Sequence, residues 1–389
     1  MAAEPIRIAH VLEATAGGTR QYLMDLCLGL PRERFAQTAV VTYGRDPAFA
    51  EDIATLTEAG VTVHQVAMTR EISLRDDLRA LGELRRYFRA NDFDIIHCHS
   101  SKAGILGRFG AWLARSRALR IYSPHAFAFQ MDASPRKQRI YRFLEWCAGR
   151  ITHLLICTTD SERELAVRAR LVRPGKALVV RTGVELRRFH PTGDAASVRE
   201  ELGVSPQHRL VGTVGALVPQ KGHEYLVDAA ALVIEEMPHT SFVVAGEGEL
   251  REELQARVAE LGLGRRFQLL GRRDDVPRIL AALDLFVMPS LWEGLPYALL
   301  EAMAVGVPVV ASEIPGLVDL VEPGKTGWLA PARSVEGLTA TLMQALDQQG
   351  SSALMAQTGR ERVLTLHTRE KMLAQLAAIY ERMVEEQRR

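Results

Sequence analysis

Short apolar runs rich in β-branched residues alternate with helix-like patterns through the first half of this chain. Such alternation is typical of a parallel sheet with helices on both faces. The candidate strands of this half are residues 6–12, 37–43, 61–66, 94–99, 120–125, 154–158 and 177–181. The alternation begins again with a strand predicted at residues 209–215. We therefore predict an α/β protein made of two doubly wound parallel-sheet (Rossmann-like) domains.

Chain length and composition agree with two domains. A chain of 389 residues is long for one hydrophobic core, and 47% hydrophobic with 24% charged residues is typical of a globular protein. A polar stretch between Pro191 and Pro206 indicates a boundary near residue 190, which gives domains 1–190 and 191–389. A last helix is predicted at residues 369–386, and its apolar residues form one helical stripe: Met372, Leu373, Leu376, Ile379, Tyr380 and Met383.

The sequence offers no sign of a membrane span, a leader or a metal centre. No run of about 18 apolar residues occurs, and an acid and a proline near the start are unlike a secretory signal. The cysteines lie far apart among apolar residues, which favours small core residues in a reducing compartment: Cys27, Cys98, Cys147 and Cys157. We expect a cytoplasmic protein with no metal, no cofactor and no nucleic-acid partner.

The two halves differ in charge. Residues 1–190 carry 29 Lys and Arg against 20 Asp and Glu, while the whole chain has a net charge of only +1. A basic half suits an anionic partner, such as a phospholipid surface or a phosphorylated acceptor. A soluble, arginine-rich surface explains the excess equally well, so composition alone leaves both interpretations open.

A strand–loop–helix stretch in the second half carries two glutamates. An apolar run at residues 285–289 is followed by a loop with Glu293, Gly294 and Pro296, and then by a helical pattern that contains Glu301. Pro296 suits the first position of a helix, and the free N–H groups of a helix start favour a phosphate. A diphosphate beside two carboxylates that can accept hydroxyl hydrogen bonds is what a nucleotide-sugar site requires.

This stretch resembles the retaining glycosyltransferases of family 4, whose signature is two glutamates separated by seven residues in this setting. Further motifs extend the resemblance over most of the chain. It implies the GT-B architecture, with two domains facing a central cleft, the first binding the acceptor and the second the donor. It also implies that the last helix packs back on the first domain. The reaction implied is transfer of a sugar from a nucleotide sugar with retention at the anomeric carbon.

The resemblance also assigns residues to this reaction. The catalytic candidates are His125, Glu293 and Lys221, and His125 would orient the sugar. The donor-binding candidates are Gly17, Gly18, Lys221, Arg272, Val276, Glu293, Gly294, Leu295 and Glu301. Within this set, Gly17, Gly18 and Lys221 would contact the diphosphate, and Glu301 would contact the ribose. Residues 293–295 would contact the sugar. Arg272 and Val276 would contact the base.

A second candidate surface follows the strand at residues 94–99. Ligands of open α/β sheets lie beyond the carboxyl ends of strands, so His99, Ser100 and Lys102 are predicted on the acceptor side. Alternation places His97 and His99 on one side of the strand. A metal pair is conceivable there, but the sequence suggests no third ligand, and we predict a core hydrogen bond for His97.

The chain departs from the family where a phosphate-binding arginine is usual, because Ala216 stands there. Lys221 would then neutralise the diphosphate with less help, and either Arg20 or the helix starts must compensate. Thr182 and Glu185 likewise replace the usual residues of the linker motif.

Basic and aromatic residues lie side by side at residues 136–146. We expect this helix to lie on an anionic membrane surface, with Phe127, Phe129, Tyr141, Phe143 and Trp146 near Arg136, Lys137, Arg139 and Arg142. The helix could equally pack on its own domain. The predicted function is that of a peripheral glycosyltransferase on the inner membrane face, acting on a lipid-linked or cell-envelope glycan precursor in polysaccharide biosynthesis. Two alternatives are an epimerase of nucleotide sugars with the same architecture and a non-catalytic sugar- or lipid-binding member.

Overall fold

The computed structural model describes residues 4–389 except 44, 45, 47, 48, 70, 132, 133, 192, 194 and 295. The chain divides into two compact units. Unit 1 comprises Met1–Thr182 together with Glu370–Arg389, and unit 2 comprises Gly183–Arg369.

Unit 1 contains a seven-stranded parallel sheet in the order β3-β2-β1-β4-β5-β6-β7. Its strands are β1 (Ile6–Leu12), β2 (Phe35–Val41), β3 (Thr62–Gln65), β4 (Ile95–His99), β5 (Leu119–Ser123), β6 (Leu154–Cys157) and β7 (Ala177–Val179). The helices that connect them are α1 (Gly17–Gly29), α2 (Phe49–Glu58), α3 (Leu74–Ala90), α4 (Ser101–Leu113), α5 (Pro135–Gly149) and α6 (Asp160–Arg168). The central strands are buried on both faces, as expected of a parallel sheet covered by helices.

Unit 2 contains a six-stranded parallel sheet in the order β10-β9-β8-β11-β12-β13. Its strands are β8 (Arg209–Val214), β9 (Thr240–Ala245), β10 (Phe267–Gly271), β11 (Leu285–Met288), β12 (Val309–Ser312) and β13 (Trp328–Ala330). Its helices are α7 (Ala195–Glu201), α8 (His223–Glu236), α9 (Arg251–Glu260), α10 (Val276–Ala282), α11 (Tyr297–Val305), α12 (Val335–Asp347) and α13 (Gln349–Leu366). The two sheets confirm the predicted pair of doubly wound parallel-sheet domains.

Each sheet has a switch point where the direction of strand order reverses. In unit 1 it lies between β1 and β4, and in unit 2 between β8 and β11. The loops that leave such neighbouring strands run to opposite faces, which opens a crevice at their carboxyl ends. These two edges are therefore where ligands of this fold class are expected.

The last helix, α14 (Arg369–Arg388), is part of unit 1 beyond its first residue. Met372, Leu376 and Tyr380 of the predicted stripe are buried. The Tyr380 hydroxyl lies 2.6 Å from His97 Nδ1, and Arg388 donates to Asp94 over 3.0 Å. The C-terminal helix thus packs into the core of unit 1, the same unit that contains the first strand of the chain.

Three predicted boundaries shift for local reasons. The strand expected at residues 120–125 ends at Ser123, because Pro124 has no N–H to donate to a neighbouring strand. The apolar pattern of the sequence predicts a first helix at residues 22–30, but α1 begins at Gly17, whose φ of +59° suits glycine. Pro296 caps α11 and does not occupy its first position.

A buried ion pair ties α4 to α5 inside unit 1. Arg108 Nη2 donates to Glu145 Oε2 over 2.8 Å, and both side chains are 1% exposed. The Tyr122 hydroxyl donates to the other carboxylate oxygen over 2.6 Å, and the guanidinium lies 3.8 Å from the centre of the Tyr122 ring.

Within the described residues, no helix is both long and apolar enough to cross a membrane.

Candidate functional site

Lys221 and Glu293 meet at the switch point of unit 2. Lys221 ends a short turn after β8, and Glu293 lies in the loop after β11. Lys221 Nζ is 2.6 Å from Glu293 Oε1, and Ser290 Oγ donates to the same oxygen over 2.8 Å. The Glu293 side chain is only 5% exposed. The loops are also joined by Leu291 N, which donates to Gln220 O over 2.8 Å. The sequence predicts both residues, but not that they pair.

Gly222 lets these two loops approach. Its φ is +61°, and a Cβ there would lie 2.2 Å from Pro289 O. Any other residue would push the loops apart, which would separate Lys221 from Glu293. The next residue, His223, opens α8, and burial followed by the charge of Lys221 lowers its pKa to about 4. Lys221 is therefore the cation at this helix start, where free N–H groups also favour an anion.

The second predicted glutamate, Glu301, lies one turn inside α11 and is partly buried. Gly294 is partly buried as well. Arg272 is exposed beside Asp274, with Nε 3.5 Å from Oδ1, and Val276 begins α10 and packs on the unit 2 core. Leu295 lies outside the described residues.

Arg20 has other partners in unit 1. Its guanidinium donates to Asp52 over 2.9 Å and to Asp46 over 3.0 Å, and the hydrogen bond to Asp52 raises its pKa. Arg20 would have to leave two carboxylates to replace the arginine absent at Ala216. The starts of α8 and α11 carry no such cost. Gly17, also in unit 1, has open space at its Cβ position.

Four histidines lie together at the switch point of unit 1. His10 of β1 stands opposite His97 of β4 in the strand register, His99 lies two residues on, and His125 follows β5. His10 Nδ1 is 3.2 Å from His99 Nε2, and His99 Nδ1 is 3.3 Å from His125 Nε2. The predicted core role of His97 agrees with its bonds to Tyr380 and to Ser123, the latter over 2.9 Å.

His10 supplies the third histidine that the sequence analysis did not find. One ring nitrogen from each of His10, His97 and His99 lies within 4.8 Å of the others, so the structure offers a third potential ligand that the sequence did not suggest. Only the strand order shows this residue, because β1 is the neighbour of β4 in the sheet. Both ring nitrogens of all three residues already have hydrogen-bond partners, which favours a hydrogen-bonded cluster over a metal centre.

Burial keeps this cluster neutral. It lowers the pKa of His10 and of His125 to about 4. The pKa values of His97 and His99 are lowered well below the usual value, first by burial and then by the charges of neighbouring histidines. At pH 7 each ring therefore carries one proton.

The turn that carries His125 has an unusual backbone. His125 and Ala126 have φ values of 52° and 83°, a region that costs a non-glycine residue about 1–3 kcal/mol and tends to occur at functional sites. Glu162 holds the turn, because its carboxylate accepts from Ala126 N over 3.1 Å and from Thr158 N over 2.8 Å. Sequence reasoning missed Glu162, which looks like any other acid in the first turn of a helix.

Two of the predicted acceptor-side residues have internal roles. His99 is 1% exposed, so it can affect a ligand only through His125. The Lys102 ammonium is 2.5 Å from Asp77 and donates to Glu71 O over 2.8 Å, which ties the start of α4 to α3. Ser100 differs from both, since its hydroxyl is buried and has no hydrogen-bond partner among the described residues.

Helix α5 presents an apolar stripe at its surface. Ile140, Phe143 and Trp146 are 51%, 61% and 37% exposed, and Arg150 lies 3.3 Å from the centre of the Trp146 ring. The cations Arg136, Lys137, Arg139 and Arg142 are exposed too. Phe127 does not belong to this surface, because it is fully buried and stacks on Phe129 with ring centres 5.0 Å apart.

Known proteins resemble this chain over nearly its whole length. The model of the family described as "Glycosyl transferases group 1" matches residues 194–362, and that of the "Glycosyl transferase 4-like domain" matches residues 17–183. A UDP-Gal:alpha-D-GlcNAc-diphosphoundecaprenol alpha-1,3-galactosyltransferase of Escherichia coli is 34% identical over 321 residues, which are 82% of each chain. The lipopolysaccharide core biosynthesis mannosyltransferase LpsB of Rhizobium meliloti is 32% identical over 213 residues, 53% of this chain and 61% of that protein.

A solved structure gives the same fold. Anabaena HepE, crystallised with UDP and glucose, superposes with a TM-score of 0.81 at 23% identity, covering 97% of this chain and 99% of that one. At this identity the likeness concerns the fold alone. The family matches and the galactosyltransferase carry the assignment further: the chain belongs to the glycosyl transferases group 1 family and is a hexosyltransferase-type glycosyltransferase with the GT-B fold.

Proposed function

We propose that this enzyme transfers a hexose from a nucleotide sugar, with retention at the anomeric carbon, to a lipid-linked precursor of a cell-envelope glycan. The observation that carries the proposal is the buried pair of Lys221 and Glu293 at the switch point of unit 2. The acceptor class is supported by the Escherichia coli relative, whose acceptor is a sugar diphosphate on undecaprenol.

The pair suits a donor that brings both a diphosphate and a sugar. Lys221 and the starts of α8 and α11 supply positive charge for the diphosphate, which gains a further negative charge as its bond to the sugar breaks. The leaving diphosphate oxygen can then take the proton of the acceptor hydroxyl on the same face. Glu293 can accept hydrogen bonds from sugar hydroxyls, and Glu301 from the ribose. The backbone of residues 294 and 295 would also contact the sugar, and Arg272 and Val276 the base. Catalysis then comes from positioning and charge stabilisation, without a protein nucleophile.

The roles proposed in unit 1 complete this scheme. His125 contacts the donor sugar, while the backbone at Gly17 and Gly18 contacts the diphosphate. Ser100, with its unsatisfied hydroxyl, is the better of the remaining candidates for the acceptor side, because Lys102 is already paired.

Donor binding and turnover test the function directly. The purified protein should gain thermal stability with one of UDP-galactose, UDP-glucose or GDP-mannose, since a ligand at 100 times its Kd adds about 2.7 kcal/mol. Glu301→Ala should lose most of that stabilisation while remaining folded. With a polyprenyl-diphosphate sugar as acceptor, NMR of the product should show the anomeric configuration of the donor. Interconversion of the donor sugar without transfer would instead indicate an epimerase.

We also propose that α5 rests on an anionic phospholipid surface, where a lipid-linked acceptor is found. Its three exposed apolar side chains recur at spacings of three residues, and basic side chains flank them. Each cation near an anionic surface contributes about 1 kcal/mol, and an apolar stripe adds binding that salt does not screen.

Vesicle flotation tests this surface. The wild type should float with phosphatidylglycerol vesicles at low salt and less at high salt, and a variant with Arg136, Lys137, Arg139 and Arg142 changed to Gln should stay at the bottom. The matched control changes as many exposed cations on another helix of unit 1, namely Arg79, Arg85, Arg86 and Arg89 of α3, and should still float. If both variants lose flotation equally, the attraction is a property of overall charge and not of α5.

A further inference from the structure

We infer that a directed chain of hydrogen bonds, anchored at the carbonyl of Cys27 and passing through Gln37, His10 and His99, fixes the tautomer of His125. The inference rests on the proposed function, because that function assigns His125 to the donor sugar. It makes His10, His99 and Gln37 positioning residues, which act on the substrate only through His125.

The direction of the chain is set at its first bond. Gln37 Nε2 donates to the backbone oxygen of Cys27 over 3.0 Å. A carbonyl oxygen can only accept, so the amide nitrogen of Gln37 must face it. The amide oxygen then faces the other way, where it lies 3.2 Å from His10 Nε2.

The donor and acceptor of each following bond are fixed by the bond before it. An amide oxygen has no proton to give, so His10 must carry its proton on Nε2. Its Nδ1 is then a bare acceptor, and His99 Nε2, 3.2 Å away, must be protonated. By the same logic His99 Nδ1 accepts from His125 Nε2 over 3.3 Å.

This order of protons requires that each ring holds a single proton, and the burial of the cluster keeps the rings neutral. With the pKa of His10 and His125 lowered to about 4 by burial, the rings are neutral at pH 7. The reversed chain would place a bare His10 Nε2 against the Gln37 oxygen, two acceptors face to face. Only one of the two possible orders of protons satisfies every bond.

The consequence is a defined acceptor on His125. With Nε2 as donor to His99, the other nitrogen, Nδ1, is unprotonated and can accept a hydrogen bond from a hydroxyl. Tyr22 adds steric support, because its ring meets the His125 ring edge-on at 4.6 Å. A sugar offers hydroxyl donors, so a fixed Nδ1 acceptor selects one orientation of the sugar before it arrives, which is how preorganised sites lower a barrier.

Nitrogen NMR of ¹⁵N-histidine-labelled protein reads the tautomers without any substrate. At pH 7 we expect His10, His99 and His125 each to show a protonated Nε2 and a bare Nδ1, with assignments from single His→Gln variants. Gln37→Met keeps the side-chain length and removes the amide oxygen, so the order can reverse and His125 should show protonated Nδ1. Ser123→Ala is the matched control, since it removes a buried hydroxyl that contacts His97 outside the chain, and it should leave His125 unchanged.

Kinetics supply a second readout. If the proposed activity is present, Gln37→Met should lower kcat by about tenfold or more, the scale on which outer partners act on an oriented histidine, with little change in KM for the nucleotide sugar.

Bare Nε2 on His125 in the wild type overturns the inference, and so does a tautomer unchanged by Gln37→Met. Added Zn²⁺ that shifts the nitrogens of His10, His97 and His99 to metal-bound positions also overturns it, in favour of a metal centre. If Gln37→Met does not fold, the wild-type tautomers alone decide. A protein inactive with every donor would refute the proposed function but not the tautomers.

Discussion

Lys221→Ala should lower kcat/KM for the nucleotide sugar by about 10- to 100-fold, because a charge-assisted hydrogen bond is worth about 1.5–3 kcal/mol. The expected loss is large because Ala216 leaves no neighbouring arginine to share the diphosphate. Lys221 also holds Glu293, whose side chain is nearly buried. Its removal leaves a carboxylate that keeps the hydrogen bond from Ser290 but has lost its counter-ion, and the loop after β11 loses its fixed geometry.

Steady-state kinetics with matched variants separate these effects. Lys325→Ala removes another lysine of unit 2, one that is 68% exposed and pairs with Glu322 at the surface, and should leave the rates unchanged. Lys221→Arg keeps the charge and should recover part of the activity. Near-normal turnover of Lys221→Ala would mean that another cation carries the phosphate. Arg20 would be the first candidate, and adding Arg20→Ala would then abolish the remaining activity.

Arg108→Met should destabilise unit 1 by about 3–5 kcal/mol, since breaking a buried ion pair leaves the other charge unpaired away from water. Glu145 would keep the Tyr122 hydroxyl as a donor but lose its counter-ion. The guanidinium contact with the Tyr122 ring would be lost as well, together with the bond from Arg108 Nη1 to Thr152 Oγ1 over 3.0 Å.

Urea unfolding followed by a probe in unit 1 measures this loss. The double variant Arg108→Met, Glu145→Leu should recover much of it, because two apolar side chains of similar size can replace a buried pair. The exposed pair of Arg168 and Glu164 on α6 is the surface counterpart, and Arg168→Met should change the stability by no more than about 1 kcal/mol. A loss in Arg108→Met no larger than in Arg168→Met would contradict the assignment.

The sequence was sufficient to predict the strands and the chemistry of single residues. The central parallel strands are short runs of residues buried on both faces, so their hydrophobicity is visible without knowledge of their neighbours. Glu293 and Glu301 could be selected as candidates from a local pattern too, because a strand end, a Gly–Pro break and a helix follow one another within one stretch of chain. Local signals of this kind depend on backbone propensity, which acts over a few residues.

The sequence could not determine which side chains meet. Lys221 reaches Glu293 because β8 and β11 are neighbours at the switch point, although other strands and helices separate them along the chain. His10 joins His97 and His99 in the same way, through the pairing of β1 with β4. Hydrogen bonding between distant segments, and not local propensity, sets the strand order. The sequence around a histidine in β1 therefore does not indicate which residues that histidine will contact.

The tertiary structure also decided which side chains are buried. The same stretch of aromatic residues contains Phe127, which is fully buried, and Phe143, which is exposed, because only packing against the rest of unit 1 distinguishes them. His99 and Lys102 have the residue types of a binding surface, yet their neighbours satisfy them inside the unit. The sequence by itself determined two parallel-sheet domains and supplied the residues that we propose hold a nucleotide sugar. Only the tertiary structure decided which of those residues pair and which remain available to a ligand. The physical reason is that strand order and packing bring together segments that are far apart along the chain, whereas local chain geometry acts over only a few residues.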